Sequence, residues 1–396
     1  MKIKKMILIP LTGLMIGTLL ITAAGCSVNE KSTAEADSSA MQQESKTEVN
    51  NSDETTGQNT NSQDTTVSGT SENGGPASDK PGSRKGGPGG GKGMKPGGGG
   101  GSVDKSGDTE LQSMISEVQG KFSTSEYTDS ETGLTVPYNI YLPEDYDSSK
   151  TYPMVVFIGD ATTVGTDMDY SITQGWGGTV WATAAEQEKH EAIVLIPVFP
   201  ETVIDDNNGE NKSDYLTLIP RMITAAAQEY HADTNRIYGT GQSMGAMATL
   251  YTAANNPDLY AGILIVDGQW NTTELNGIET QNMVYIAAGG DQKASQGQED
   301  VKALLDSLGT TYSQADGWDA QASSDELDAS SLELLQEGSA INFITWKAGT
   351  VLNGQEGSEH MASFDYAYKL EKSGTGYLNR QSSSYLHIRM ILYAFL

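Results

Sequence analysis

Six short apolar runs, at 154–159, 192–199, 236–239, 261–266, 283–288 and 341–346, recur between stretches of helical spacing from residue 108 onward. A strand that is apolar without alternation is buried on both faces, and such strands separated by helices build a parallel sheet with helices on either side. The spacing predicts those helices near 176–189, 214–230, 244–254, 295–308 and 363–372. The expected fold is therefore α/β, with a mostly parallel central sheet. In such a sheet the chemistry gathers beyond the carboxyl ends of the strands, which gives each candidate residue a position test.

The approach to this core is also patterned. Leu111, Met114, Ile115 and Val118 sit at helical spacing and predict an opening helix. Alternating stretches at 122–128 and 134–142, each ended by turn residues, predict an antiparallel N-terminal hairpin at the sheet edge. Residues 309–340 exceed what two neighbouring strands need between them and are expected to form a small acidic, helical flap near the site.

The first hundred residues follow other rules. Residues 1–25 have a basic start (Lys2, Lys4, Lys5), an apolar run and the small residues Ala23-Ala24-Gly25, the shape of an export signal. An uncleaved membrane anchor is the competing reading. Cys26 follows at once and is the single cysteine, so no intramolecular disulfide is possible. Ala-Ala-Gly-Cys resembles the lipobox of bacterial lipoproteins, which implies cleavage before Cys26 and a lipid attached to it, on the outer face of a bacterial cell membrane. Residues 26–107 are poor in large apolar side chains and rich in Ser, Thr, Gly and Gln; they cannot offset their ordering entropy and read as a disordered tether. Residues 108–396 then form one domain.

There are 24 basic against 52 acidic residues, and essentially all of the net charge of −28 falls on residues 108–396. A domain this acidic repels phosphate backbones and anionic lipid surfaces, so nucleic acid is not an expected partner. Neutral substrates fit; a need for solubility alone explains the charge equally well.

The stretch RIYGTGQSMGAMATLY (236–251) runs from an apolar strand through Gly241-Gln242-Ser243-Met244-Gly245 into an apolar helix. A serine on so sharp a strand-to-helix turn is lifted clear of the sheet, and the flanking glycines allow close packing of strand and helix. Ser243 is the candidate nucleophile, and the Met244 N–H, at a helix N-terminus, is the candidate donor to an oxyanion. Gln242, beside the nucleophile, is expected to face substrate.

With four histidines the base follows by elimination. His190 and His231 precede strands, on the wrong rim, and His387 lies in the apolar segment YLHIRMILYAFL. His360 alone follows a strand at its carboxyl end, in the loop GQEGSEHMASFDYAY. Two carboxylates pass the position test for the acid, Asp267 and Asp291. Asp291 closes the later strand and is preferred.

Tyr152-Pro153, RIYGTGQSMGAM, AAGGDQKAS and EHMASFDYAY together resemble secreted α/β-hydrolase esterases of the polyhydroxybutyrate depolymerase and feruloyl esterase type, over about residues 122–372. The resemblance implies Ser243, Asp291 and His360 as a triad and hydrolysis of small-molecule or polysaccharide-linked esters, without a cofactor. One departure stands out. Where such enzymes commonly carry His-Gly-x-Gly, this chain has Ile158-Gly159-Asp160-Ala161. By position the Asp160 N–H is the second oxyanion donor, and its carboxylate must turn away from a developing negative charge. Trp176 and Trp270 are candidates to wall the substrate cleft. The loop 205–209 lacks the spacing of a calcium loop, and no metal is expected. Two other functions stay open at this stage: a non-catalytic surface solute binder and a serine peptidase on the same scaffold.

Overall fold

The computed structural model describes residues 103–373. The export-signal segment, Cys26, the tether up to residue 102 and His387 lie outside the described residues. Residues 103–107, expected to belong to the tether, are placed against the domain, where Lys105 Nζ pairs with the Asp365 carboxylate at 2.9 Å.

Local chemistry sets the elements. Helix α1 (Thr109–Val118) starts where the Asp108 side chain accepts the Leu111 N–H, and it buries Leu111, Met114 and Val118. Strands β1 (Ser123–Thr128) and β2 (Thr135–Tyr141) form the predicted antiparallel hairpin. Strand β3 (Tyr152–Ile158) leads to helices α2 (Met168–Thr173), α3 (Trp176–Thr179) and α4 (Ala184–Lys189), then to β4 (Ile193–Pro197). The helix expected over 176–189 is thus broken. Thr183 takes an extended conformation and caps α4 through its side chain, so the chain stops and restarts there. A small ribbon, β5 (Ile204–Asp205) with β6 (Asn211–Lys212), precedes α5 (Asp214–Glu229).

Then come β7 (Ala232–Gln242), α6 (Met244–Asn255), β8 (Gly262–Val266), β9 (Met283–Ala288), α7 (Gln292–Leu308), β10 (Ser313–Trp318), α8 (Ser324–Gln336), β11 (Ile341–Trp346) and α9 (Glu359–Ser373). Nine strands form one sheet in the order β1-β2-β4-β3-β7-β8-β9-β11-β10. The β1–β2 and β2–β4 pairs are antiparallel, and every pairing from β4 to β10 is parallel.

Residues 309–340 correct one expectation. They are a strand-and-helix excursion, not a flap: β10 adds an outer edge strand to β11, and α8 begins with a capping box between Ser323 and Glu326.

Both faces of the sheet are covered, as continuous apolar strands require. Met154, Val156 and Ile158 of β3 join a core with α5, α6 and α7, while Val155 and Phe157 face a second core with α1, α3 and α9. Each such side chain contributes about 1.5–3 kcal/mol by leaving water. No helix among the described residues is long and apolar enough to cross a membrane. Because β3, β7, β8, β9 and β11 run parallel, Asp160, Ser243, Asp267, Asp291 and the segment carrying His360 all emerge at one rim.

Candidate active site

Ser243 stands between β7 and α6 with φ 52° and ψ −117°, a left-handed backbone that a non-glycine residue adopts only under constraint. The constraint is close packing. A Cβ on Gly245 would lie 1.9 Å from the Ile158 carbonyl oxygen, and one on Gly241 would lie 2.3 Å from the Gly245 backbone. The end of β3 therefore abuts the first turn of α6, with the backbone of Ile158 and Gly159 against Gly245, one residue before Asp160 and one after Met244. First-turn N–H groups have no partner within their own helix and are available to an anion.

Ser243 Oγ lies 2.8 Å from His360 Nε2, and His360 Nδ1 lies 2.5 Å from Asp291 Oδ2. With Nδ1–H donating to the carboxylate, Nε2 is left to accept the serine proton. Three residues distant in sequence meet in one hydrogen-bonded line. His360 is not in a loop, as its sequence suggests, but is the second residue of α9, with its ring edge-on to Phe364 at 5.1 Å. Asp291 is the N-cap of α7, and its Oδ1 accepts the N–H groups of Lys293 and Ala294.

Electrostatics follow from these contacts. Burial works to raise the Asp291 pKa, but the hydrogen bond and charge of His360, with the two backbone donors, hold it below the ordinary carboxylate value. Burial works to lower that of His360; the Asp291 hydrogen bond and the charges of Asp267, Asp291 and Asp160 outweigh it and raise it. The histidine therefore gains its proton at a higher pH than an ordinary imidazole.

The Asp160 carboxylate does turn aside. Its Oδ1 accepts Thr162 N–H at 2.7 Å and Thr162 Oγ–H at 2.5 Å, and its Oδ2 accepts Gln242 Nε2–H at 2.9 Å. This corrects the reading of Gln242: its side chain is buried and braces Asp160 instead of facing substrate. Glu359 is a contributor the sequence did not single out. Its carboxylate accepts Gly290 N–H at 2.9 Å and Gly349 N–H at 2.8 Å, tying the residue next to His360 to the segments that follow β9 and β11.

A model of the Esterase family matches residues 130–329, half of the chain. The chain belongs to that family. Acetylxylan esterase A of Emericella nidulans is 30% identical to it over 174 residues, 38% of this chain and 52% of that protein. Acetylxylan esterase A of Aspergillus ficuum is 30% identical over 154 residues, 36% and 45% of the two chains. The chain thus spans about half the length of the curated relatives it matches. A solved thermostable esterase superposes with a TM-score of 0.50 at 23% identity, over 64% of this chain and 61% of that one, in keeping with an α/β-hydrolase fold.

The two tryptophans part company. Trp176 is fully buried, its indole N–H donating to Asp108 Oδ2 at 3.1 Å; it is a core residue and does not wall a cleft. Trp270 is also largely buried, with its N–H on Glu274 and its ring edge-on to Tyr251, yet it lines a groove of about 500 Å³. That groove is otherwise polar, with Gln269, Asn271, Gln292 and Lys293 along it. Asp206, from the loop expected not to bind metal, is engaged there by Lys293 and Gln269. Among the described residues no group of three or more His, Cys, Asp or Glu side chains is arranged so that it could hold a metal ion.

Proposed function

We propose that this chain is a serine hydrolase that cleaves carboxylic esters through an acyl-enzyme. The observation that carries the proposal is the continuous line from Ser243 Oγ through the His360 imidazole to Asp291. Ser243 Oγ attacks the ester carbonyl carbon as its proton passes to His360 Nε2. The carbonyl oxygen takes up the electron pair, and the N–H groups of Met244 and Asp160 donate to it. Collapse expels the alcohol, which takes the proton from His360. Water then repeats the attack on the acyl-serine and releases the acid, with Asp291 holding the imidazole tautomer throughout. The polar groove beside Trp270, lined by amides together with Asp206, Glu210, Lys293 and Asp300 and reaching the residue after Asp291, suits a hydroxyl-rich alcohol. Together with the acetylxylan esterase relatives, this supports acylated polysaccharide as the substrate class. Residues 108–396 are the catalytic domain in this reading. The signal at 1–25 exports it, and Cys26 and the tether hold it outside the cell by a lipid.

A fluorophosphonate probe is expected to label the wild-type chain and not Ser243→Ala, and p-nitrophenyl acetate turnover is expected to fall about 10⁴-fold or more in that variant. Methyl ferulate and acetylated xylan should be cut and aminoacyl anilides should not. A folded wild-type chain that takes no label would favour the solute-binding reading instead. As pH falls, turnover should be lost through a midpoint above the ordinary histidine value of about 6.5, because protonated His360 cannot accept the serine proton. Replacing Cys26 by serine should move the active protein from the membrane fraction to the medium; continued membrane association would overturn the anchor.

A further inference from the structure

Asp267 closes β8 as Asp291 closes β9, and the triad makes no direct use of it. It is completely buried and takes a left-handed backbone with φ 45°. Its Oδ1 accepts the Ala288 N–H, at the end of β9, at 2.8 Å, and its Oδ2 accepts the hydroxyl of Ser363. Ser363 is the fifth residue of α9, three after His360, and its Oγ is 3.1 Å from the His360 carbonyl oxygen. One carboxylate thus fastens the end of β8, the end of β9 and the turn that carries the histidine.

Stability alone gives poor grounds for such a group. Burying a carboxylate near another carboxylate is costly, and a well-packed neutral side chain would serve a purely structural role as well. Burial pushes Asp267 up to about 7, the His360 charge opposes this, and Asp291 adds to it. The acidic groups around His360 are Asp291 after β9, Asp267 after β8, Asp160 after β3 and Glu359 on its own helix. Tyr285, from β9, lies within the field of Asp267.

We propose that Asp267 is a positioning residue of the triad: it fixes the start of α9 through Ser363 and shares with Asp291 the stabilisation of the His360 imidazolium. The proposal rests on the triad reading above. As Ser243 loses its proton the imidazole becomes positive, and a carboxylate already seated among fixed donors meets that charge without reorganisation. Asp267 does not touch substrate and exchanges no proton with it.

The test uses the chain labelled at histidine and followed by NMR, beside steady-state kinetics on p-nitrophenyl acetate. Asp267→Asn should lower the His360 titration midpoint by about half a unit or more, because a negative charge that favours the imidazolium is gone. The acid limb of kcat/KM should move down with it, and kcat should fall about tenfold or more while KM changes less than about twofold. Ser363→Ala removes a donor that holds the Asp267 carboxyl down, so it should lower kcat and move the His360 midpoint down by less than Asp267→Asn does. A folded Asp267→Asn chain with an unchanged midpoint overturns the proposal. Should that variant not fold, the same coupling is read from the other side, since linkage is reciprocal. In His360→Gln the Asp267 carboxyl, followed by its ¹³C shift, should titrate at higher pH than in wild type, and an unmoved midpoint would refute the proposal. Neither titration depends on ester turnover, so loss of this inference is separable from loss of the hydrolase reading.

Discussion

Two carboxylates at opposite rims of the sheet, Glu186 and Asp291, are buried to nearly the same degree and treated in opposite ways. At the amino rim Glu186 is 6% exposed, and the charge that faces it is Lys189 at 3.6 Å. Burial dominates there and pushes its pKa to about 7. At the carboxyl rim Asp291 is 9% exposed, yet its pKa falls below the ordinary value. The difference lies in the donors. Asp291 receives two backbone N–H groups from the start of α7 and the imidazole N–H, all fixed before any charge appears. Burial by itself is therefore a poor guide to function. A buried acid works only where the fold has aimed donors at it.

The largest expected effect that could break this contrast concerns the histidines. His360→Ala should cost about 10³–10⁵ in kcat/KM on p-nitrophenyl acetate. His190→Ala, at the rim with Glu186, should cost less than about twofold. The reverse order would mean that the chemistry sits at the other rim. A smaller effect sharpens the comparison through stability. The folded-state pKa of Glu186 lies above its unfolded value, so its contribution is most favourable when it is protonated in both states and is lost as pH rises through about 7. Glu186→Gln should raise stability by about 1–3 kcal/mol at pH 8–9 and change it little near pH 4. Calorimetry at the two pH values checks this, with ester turnover expected to stay at the wild-type level.

Much of this was legible before any coordinates. The six apolar runs became β3, β4, β7, β8, β9 and β11, because a strand buried on both faces must be apolar throughout. The Gly-x-Ser-x-Gly turn was legible because so close a packing of strand and helix leaves no room for a side chain at 241 or 245. Strand β10 was not. It lies at the sheet edge with mostly exposed or half-buried residues, and its pairing shifts register around Gly317 at φ 74°. An edge strand carries little hydrophobic signal, so SQADGW reads as loop. Trp176 and Gln242 were misread for a common reason: residue type shows what a side chain can contact, whereas its partner here, Asp108 or Asp160, comes from a distant segment. Glu359 was invisible on the same grounds, since its two acceptor contacts are to glycine N–H groups that follow other strands.

The seam between Gly245 and Ile158 also limits how this chain could be altered. With 1.9 Å between a notional methyl and a carbonyl oxygen, even alanine at 245 would wedge the helix from the strand and tilt the serine away from its histidine. Redesign of what the protein accepts must leave that joint alone and work through the exposed and half-buried positions beyond the strand tips, such as Gln269, Asn271, Gln292, Lys293 and Gln296, which lie outside the packed core.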